Sequence, residues 1–254
     1  DLFPEEILGK SVIARFGKQF PLLFKFIDAK EDLSIQLHPN DELARERHNS
    51  FGKTEMWYVM QADESSRLVV GFKKDSNKEE YLQELNNKNL IGLLNEYPVA
   101  KGDVFFLETG TIHAIGAGVV VAEIQQTSDV TYRIYDWDRV DANGQGRELH
   151  TELALDAINY NTTPSKVDYQ EVANQSTAIV DCPYFVTNII ALQDRFIWKK
   201  SKDAFTVFMC TNGQFEMIVN GEILRYRMGD TVLIPACIEN LTVKGKATLL
   251  EISI

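Results

Sequence analysis

Lys101-Gly102-Asp103-Val104-Phe105-Phe106-Leu107-Glu108 has a counterpart late in the chain, Met228-Gly229-Asp230-Thr231-Val232-Leu233-Ile234-Pro235. Each reads as Gly-Asp, an apolar run of strand length, and a turn. A unit that recurs in this way indicates two copies of one β-rich architecture. Strand signals spread outward from the first copy. Leu33-Ser34-Ile35-Gln36-Leu37-His38 alternates apolar and polar residues, the period of a half-buried strand. Short β-branched or aromatic runs follow at 57–60, 67–72, 103–107, 119–124 and 131–135, with turn residues between them. Around the second copy the runs lie at 185–190, 205–210, 215–219, 231–234 and 248–254. Asn220-Gly221, between 216–219 and 222–224, is the dipeptide of a tight hairpin. Two segments carry helical spacing instead: 78–96, broken at Asn86-Asn87, and 148–158. Residues 161–177 are polar and poor in strand signals, which marks a linker. The expected fold is all-β with a few helices, a jelly roll repeated twice with a small helical insertion. The expected division is a first domain at 1–160, the linker at 161–177 and a second domain at 178–254.

The chain has 254 residues, enough to bury a sizeable core without cross-links. Its 26 basic and 37 acidic residues give a net charge of −11. That balance argues against nucleic acid and against an anionic membrane surface as partners. A small anionic substrate would need a local basic cluster. Cys182, Cys210 and Cys237 form no CxxC pair, so this is no disulfide scaffold. They read as packed thiols in a reducing cytoplasm. No run approaches the roughly 20 apolar residues of a membrane span. Asp1-Leu2-Phe3-Pro4-Glu5-Glu6 is not a signal peptide. The expected location is cytoplasmic.

Residues with metal-ligand chemistry recur in the first half. Gln36 and His38 are two apart on one strand and share a face, the expected interior of the first domain. Glu55 opens the next strand, and His113 ends Gly110-Thr111-Ile112-His113. Two imidazoles, a carboxylate and an amide oxygen form a borderline donor set suited to Zn²⁺, with room for a catalytic role. His48 and His150 read as solvent-exposed, and Trp57 and Tyr58 as core.

The motifs carry more than the spacing does. Gly102-x5-Glu108-x-Gly110-x2-His113 resembles the second motif of the cupin superfamily, with Glu108 at the usual proline. Three segments are more specific: Ser34-Ile35-Gln36-Leu37-His38-Pro39-Asn40-Asp41, Gly52-Lys53-Thr54-Glu55-Met56-Trp57-Tyr58 and Gly110-Thr111-Ile112-His113-Ala114. In this order they resemble the type I mannose-6-phosphate isomerase family in its short bacterial form. The resemblance runs from about residue 20 to 254. It implies two cupin-type jelly-roll β-barrels and a zinc-dependent aldose–ketose isomerase interconverting mannose 6-phosphate and fructose 6-phosphate through an enediol. It implies one Zn²⁺ per chain, held by Gln36, His38, Glu55 and His113. The family's catalytic arginine corresponds to Arg133, its lysine before the metal glutamate to Lys53, and its later acidic positions to Glu123 and Asp129.

The sequence departs from the family in three places. The long form's His-Lys-Pro-Glu is Gly52-Lys53-Thr54-Glu55 here, so a proposed catalytic histidine is absent. The Trp-Gly and Gly-Glu-x-Trp segments that open short members do not precede Asp1, so the first domain is expected to be incomplete at its N-terminal side. Asn240 stands where the second unit would repeat His113. The base for proton transfer stays open between Asp129, Glu123 and a water on the metal. Two other readings share the ligands: a non-haem Fe(II) oxygenase, against which Gln36 and the Lys53-Thr54-Glu55 context count, and a non-catalytic metal- and sugar-binding cupin.

Overall fold

The computed structural model describes residues 2–200 and 203–254. They form two compact units, each built on antiparallel sheet. Leu22–Val167 is one unit. Its first sheet has the strand order Leu22–Ala29, Val119–Gln126, Glu55–Ala62, Val104–Leu107, Lys166–Val167. Its second runs Leu94–Pro98, Arg67–Phe72, His113–Ile115, Ile35–Leu37, Tyr132–Tyr135. Between them lies an apolar core in which Trp57, Val59, Phe105, Leu107 and Val121 of the first sheet meet Leu68, Val70 and Ile115 of the second.

The second sheet is buried on its other face too. Ile35, Leu37, Val69, Ala114, Tyr132 and Ile134 pack there against Tyr81, Leu90 and Leu93 and against Ala154 and Leu155. Those partners belong to helices Lys78–Asn86, Leu90–Leu93 and Thr151–Leu155. Side chains alternate across a strand, so Gln36 and His113 are left on the inner face. The alternation of Ser34 to His38 is therefore reversed from the usual one: its apolar residues meet helices and its polar residues meet the interior. Each fully buried Leu or Ile on the helical side contributes roughly 1.5–3 kcal/mol, which offsets the cost of polar groups inside.

The other unit comprises the residues up to Pro21 together with Asp168–Ile254. It is one seven-stranded sheet centred on two long strands, Thr206–Val219 and Asn240–Ser253. Phe208, Cys210, Phe215, Met217 and Leu249 fill its core. Two separate strands are expected at 205–210 and 215–219; here they are halves of one strand that changes register between Cys210 and Asn212. Thr211, between the two registers, is the extra residue of a bulge. The Asn220-Gly221 hairpin is a two-residue loop, with Val219 opposite Glu222 and both loop residues at positive φ.

The domain boundaries differ from the expected ones. Helices Pro4–Leu8 and Lys10–Phe16 belong with the C-terminal unit, because its main chain caps the first of them. Phe205 N–H donates to Leu8 O at 3.1 Å, Ala236 N–H to Ile7 O at 2.9 Å and Cys237 N–H to Glu6 O at 2.9 Å. The expected linker contributes Lys166–Val167 to the first unit as an edge strand against Phe105 and Val104, and its last residues open strand Ser176–Asp181. Residues 94–96 are strand rather than helix, since Leu94–Pro98 pairs with Arg67–Phe72. Cys182 is half-buried, Cys210 buried and Cys237 exposed, and all three thiols are free.

Gly110 sits at φ +84, and a Cβ there would meet Ala157 O at 2.5 Å. Gly110→Ala should therefore lower stability by about 2–3 kcal/mol, through left-handed strain and the clash together. Urea denaturation reads this directly; an unchanged midpoint would show that the 110–113 turn is not held as described.

Candidate metal and active site

Main-chain contacts bring the site's loops together. Gly110 N–H donates to His38 O at 2.8 Å, so the turn before His113 is tied to the end of strand Ile35–Leu37. Gly52 N–H donates to Asp41 Oδ1 at 2.8 Å. A Cβ on Gly52 would lie 2.7 Å from the main chain of Asn40 and Asp41, so only glycine lets the segment leading to Glu55 approach this closely. Asn40 caps helix Asp41–His48, accepting from Leu43 N–H at 3.0 Å, and so ends the turn that follows His38.

His38, Glu55 and His113 converge, each buried, with donor atoms all within 4.8 Å of one another. The Nδ1 of His38 lies 2.8 Å from Val130 O, and that of His113 lies 2.8 Å from Thr111 O. A carbonyl only accepts, so each Nδ1 carries its ring's proton and each Nε2 presents a lone pair. Glu55 Oε1 is 3.4 Å from His113 Nε2, and Oε2 is 3.6 Å from His38 Nε2. These are acceptors facing acceptors. Among the described residues, His113 Nε2 and both Glu55 oxygens complete no hydrogen bond although fully buried. Lys53 Nζ approaches from one side, 3.1 Å from Glu55 Oε2 and 3.1 Å from His38 Nε2. Two imidazole nitrogens and a carboxylate gathered in a dry interior could hold a divalent cation.

The titration behaviour has the same cause. Burial pushes the Glu55 carboxyl up to about 7, with Glu123 adding to the push and Lys53 opposing it. Burial brings His113 down to about 4. His38 falls well below its usual value through burial, then through the charges of Lys53 and His113. Burial also raises Glu123, but the charges of Lys53 and Lys25 and hydrogen bonds from Lys25 and Trp57 outweigh it, leaving this carboxyl below its ordinary value.

Two cross-strand rows frame the cluster. On the second sheet Gln36 is in register with His113 on one side and Arg133 on the other, so the three share a face. On the first sheet Glu123 is in register with Lys25 and Trp57. Lys25 Nζ donates to Glu123 Oε1 at 2.9 Å, and Trp57 Nε1 to Oε2 at 2.9 Å. Lys25, Gln36, Lys53, Trp57, His113 and Glu123 line a cavity of about 170 Å³, whose other walls include Ile27, Leu33 and Ile115. A groove of about 630 Å³ along Asp28–Lys30 and Gln61–Arg67 is larger, but it lies at a sheet end away from the His–Glu–His cluster.

Residues 4–66 match the family model described as phosphomannose isomerase type I, catalytic domain, and residues 174–254 match that described as mannose-6-phosphate isomerase, cupin domain. Mannose-6-phosphate isomerase ManA of Bacillus subtilis is 34% identical over 235 residues, which is 91% of this chain and 74% of that protein. The chain belongs to the mannose-6-phosphate isomerase family. The Streptococcus mutans mannose-6-phosphate isomerase is 36% identical over 230 residues, covering 89% of this chain and 72% of that one. The crystal structure of the Bacillus subtilis isomerase superposes with a TM-score of 0.89 at 32% identity, over 98% of this chain and 79% of that one. Phosphomannose isomerase of Salmonella typhimurium, at 16% identity and a TM-score of 0.78, shares the fold. The mostly β, cupin-type architecture is that of the family.

Within this isomerase fold the residues singled out in the sequence fall into three groups. His38, Glu55 and His113 meet, with Gln36 and Lys53 on the same cavity. Glu123 lines it, and Arg133 stands beside it through Ser34, whose Oγ accepts from Arg133 Nε at 3.3 Å. Asp129 is exposed in the loop after strand Val119–Gln126 and is not among the lining residues. Trp57 is both core and site, its indole edge-on to His113 at 5.3 Å. His48 is exposed, whereas His150 is half-buried and engaged with Arg133. Sequence reasoning missed Lys25. The signal was a lone lysine inside Leu22-Leu23-Phe24-Lys25-Phe26-Ile27, where a charge in an apolar strand needs a buried partner. No helix among the described residues is long and apolar enough to cross a membrane.

Metal uptake should track Glu55. The imidazoles are neutral well below pH 6.5, so the carboxyl proton is the competitor. The logarithm of affinity should rise with a slope of about one per pH unit up to about 7 and flatten above it, as one proton is displaced per metal. Calorimetric titration of stripped protein in buffers of different ionisation enthalpy measures the proton; a flat profile from pH 5.5 to 8 would refute it.

Proposed function

We propose that this chain interconverts mannose 6-phosphate and fructose 6-phosphate, with one zinc ion held by Gln36, His38, Glu55 and His113. Family membership supports the reaction. The observation that carries the metal assignment is the convergence of two buried Nε2 lone pairs on a buried carboxylate whose Oε1, like His113 Nε2, completes no hydrogen bond. When bound, the cation supplies a Lewis acid for the oxygen on which charge collects.

The chain's own groups do the rest. The reaction moves a proton between C2 and C1 of the sugar through an enediol, so a base and a stabilised oxyanion are both required. Glu123 is the carboxylate lining the cavity besides the metal cluster, held ionised and oriented by Lys25 and Trp57. It takes the base role in this reading, ahead of Asp129. Lys53 presents an ammonium from within the cluster, where it can donate to the oxyanion as charge develops. Apolar walls at Ile27, Leu33 and Ile115 keep the dielectric low, which strengthens both effects. Arg133 adds a fixed cation at the cavity edge, with the planar donor geometry that suits an anionic substrate.

Elemental analysis and a coupled assay from mannose 6-phosphate on one preparation test the reading. One zinc per chain with chelator-sensitive turnover is expected; metal without turnover would favour a non-catalytic metal- and sugar-binding protein. His113→Ala should lose metal and turnover together. Glu123→Gln should retain metal and lose about 10²–10⁴-fold in kcat, the usual range for a missing general base. Arg133→Ala should retain metal and lose about 100-fold; wild-type turnover in that variant would remove Arg133 from the mechanism.

A further inference from the structure

Strand Tyr132–Tyr135 is the edge of its sheet. Its pairing with Ile35–Leu37 slips by one residue between Ile35 and Gln36, so that Ile35 faces Tyr135 while Gln36 faces Arg133. A bulge of this kind re-aims the neighbouring side chain and leaves main-chain groups unpaired by the ladder. The residue skipped is Ile134, while Arg133 stays in register with Gln36 on this edge strand; the main-chain N–H and O of Arg133 are both taken by one residue. Arg133 N–H donates to His150 Nδ1 at 3.1 Å, and His150 N–H donates to Arg133 O at 2.7 Å. His150 thus acts as a one-residue strand, with its ring in place of a carbonyl. Two residues earlier, Glu148 O accepts from Arg133 Nη1 at 3.0 Å. The segment 148–150 therefore holds Arg133 at its backbone and at its guanidinium.

The clamp is itself anchored. Helix Thr151–Leu155 begins at His150, whose O accepts from Ala154 N–H at 2.9 Å, and Ala154 and Leu155 are buried against Tyr132 and Ile134. This helix start uses only the main chain of His150, so the imidazole is free for a separate task. Because a backbone N–H can only donate, Nδ1 must be unprotonated and the ring's proton must sit on Nε2.

We propose that His150 is a positioning residue for the isomerase reaction, fixing the backbone of Arg133 so that its guanidinium is aimed past Ser34 at the cavity. The proposal rests on the reading of Arg133 given above. It assigns a task to a histidine that touches neither the metal cluster nor the lining residues.

The test compares His150→Asn with His150→Leu. Asparagine places Oδ1 where Nδ1 stood and keeps the acceptor; leucine keeps bulk and removes it. His150→Leu should lose about 10–100-fold in kcat, the scale of a misaimed group, with metal content unchanged. His150→Asn should stay within about threefold of wild type, since it keeps the hydrogen bond. In an Arg133→Ala background His150→Leu should cost nothing further, because both act through one group. Thermal melting checks folding; should His150→Leu unfold, His150→Ser, too short to reach the Arg133 N–H, replaces it. Equal impairment of the Asn and Leu variants would overturn the acceptor role. Wild-type turnover in His150→Leu alongside an inactive Arg133→Ala would overturn the proposal and leave the Arg133 reading intact. Wild-type turnover in Arg133→Ala would instead defeat that reading.

Discussion

A carboxylate sealed between two imidazoles sets the terms for the first unit. Glu55 has no exposure to solvent, and an unpaired buried charge costs several kcal/mol or more. The interior has only a few ways to meet that cost: a proton, the Lys53 ammonium, or a metal cation. Everything near it is arranged around this choice. Both histidines direct their protons away from the centre, the helical layer takes the apolar side chains of strand Ile35–Leu37, and Glu123 is given its own cation in Lys25. Without that division of labour, two carboxylates in one apolar sandwich would compete for the same proton.

The second unit shows what the architecture does when that constraint is lifted. The chain's four histidines are His38, His48, His113 and His150, all before the second unit's sheet. Phe208, Phe215, Met217 and Leu249 occupy its core instead. Antiparallel sheet thus surrounds a buried polar cluster in one unit and an apolar core in the other. The difference follows from which residues occupy the inward positions of a few strands.

Much of this was legible in sequence because strand period and turn chemistry are local. The Gly-Asp repeats, the Asn220-Gly221 hairpin and the shared face of Gln36 and His38 follow from spacing alone. The convergence of His38, Glu55 and His113 does not, since it depends on Gly52 and Gly110 allowing main chains to meet; the motifs supplied it through resemblance. Strand Leu22–Ala29, and Lys25 with it, escapes the pattern because the charges of Lys25 and Asp28 interrupt its apolar run. The runs at 205–210 and 215–219 read as two strands because the polar residues around the Thr211 bulge interrupt the apolar pattern. His150 reads as solvent-exposed because its partner is a backbone group seventeen residues earlier, which no local pattern encodes.

The rings of His38 and His113 are oriented by carbonyls of Val130 and Thr111, and Arg133 is held by its own amide and carbonyl. Every residue type offers the carbonyl, and every type but proline the amide. Substitution at 130 or 111 can therefore change the side chain without turning either imidazole. An inserted or deleted residue in 111–113 or 128–131 would shift the carbonyl itself and turn the ring away. For these supporting positions the heritable information lies in segment length more than in residue identity, so a comparison of related chains would find them as fixed spacing between variable letters.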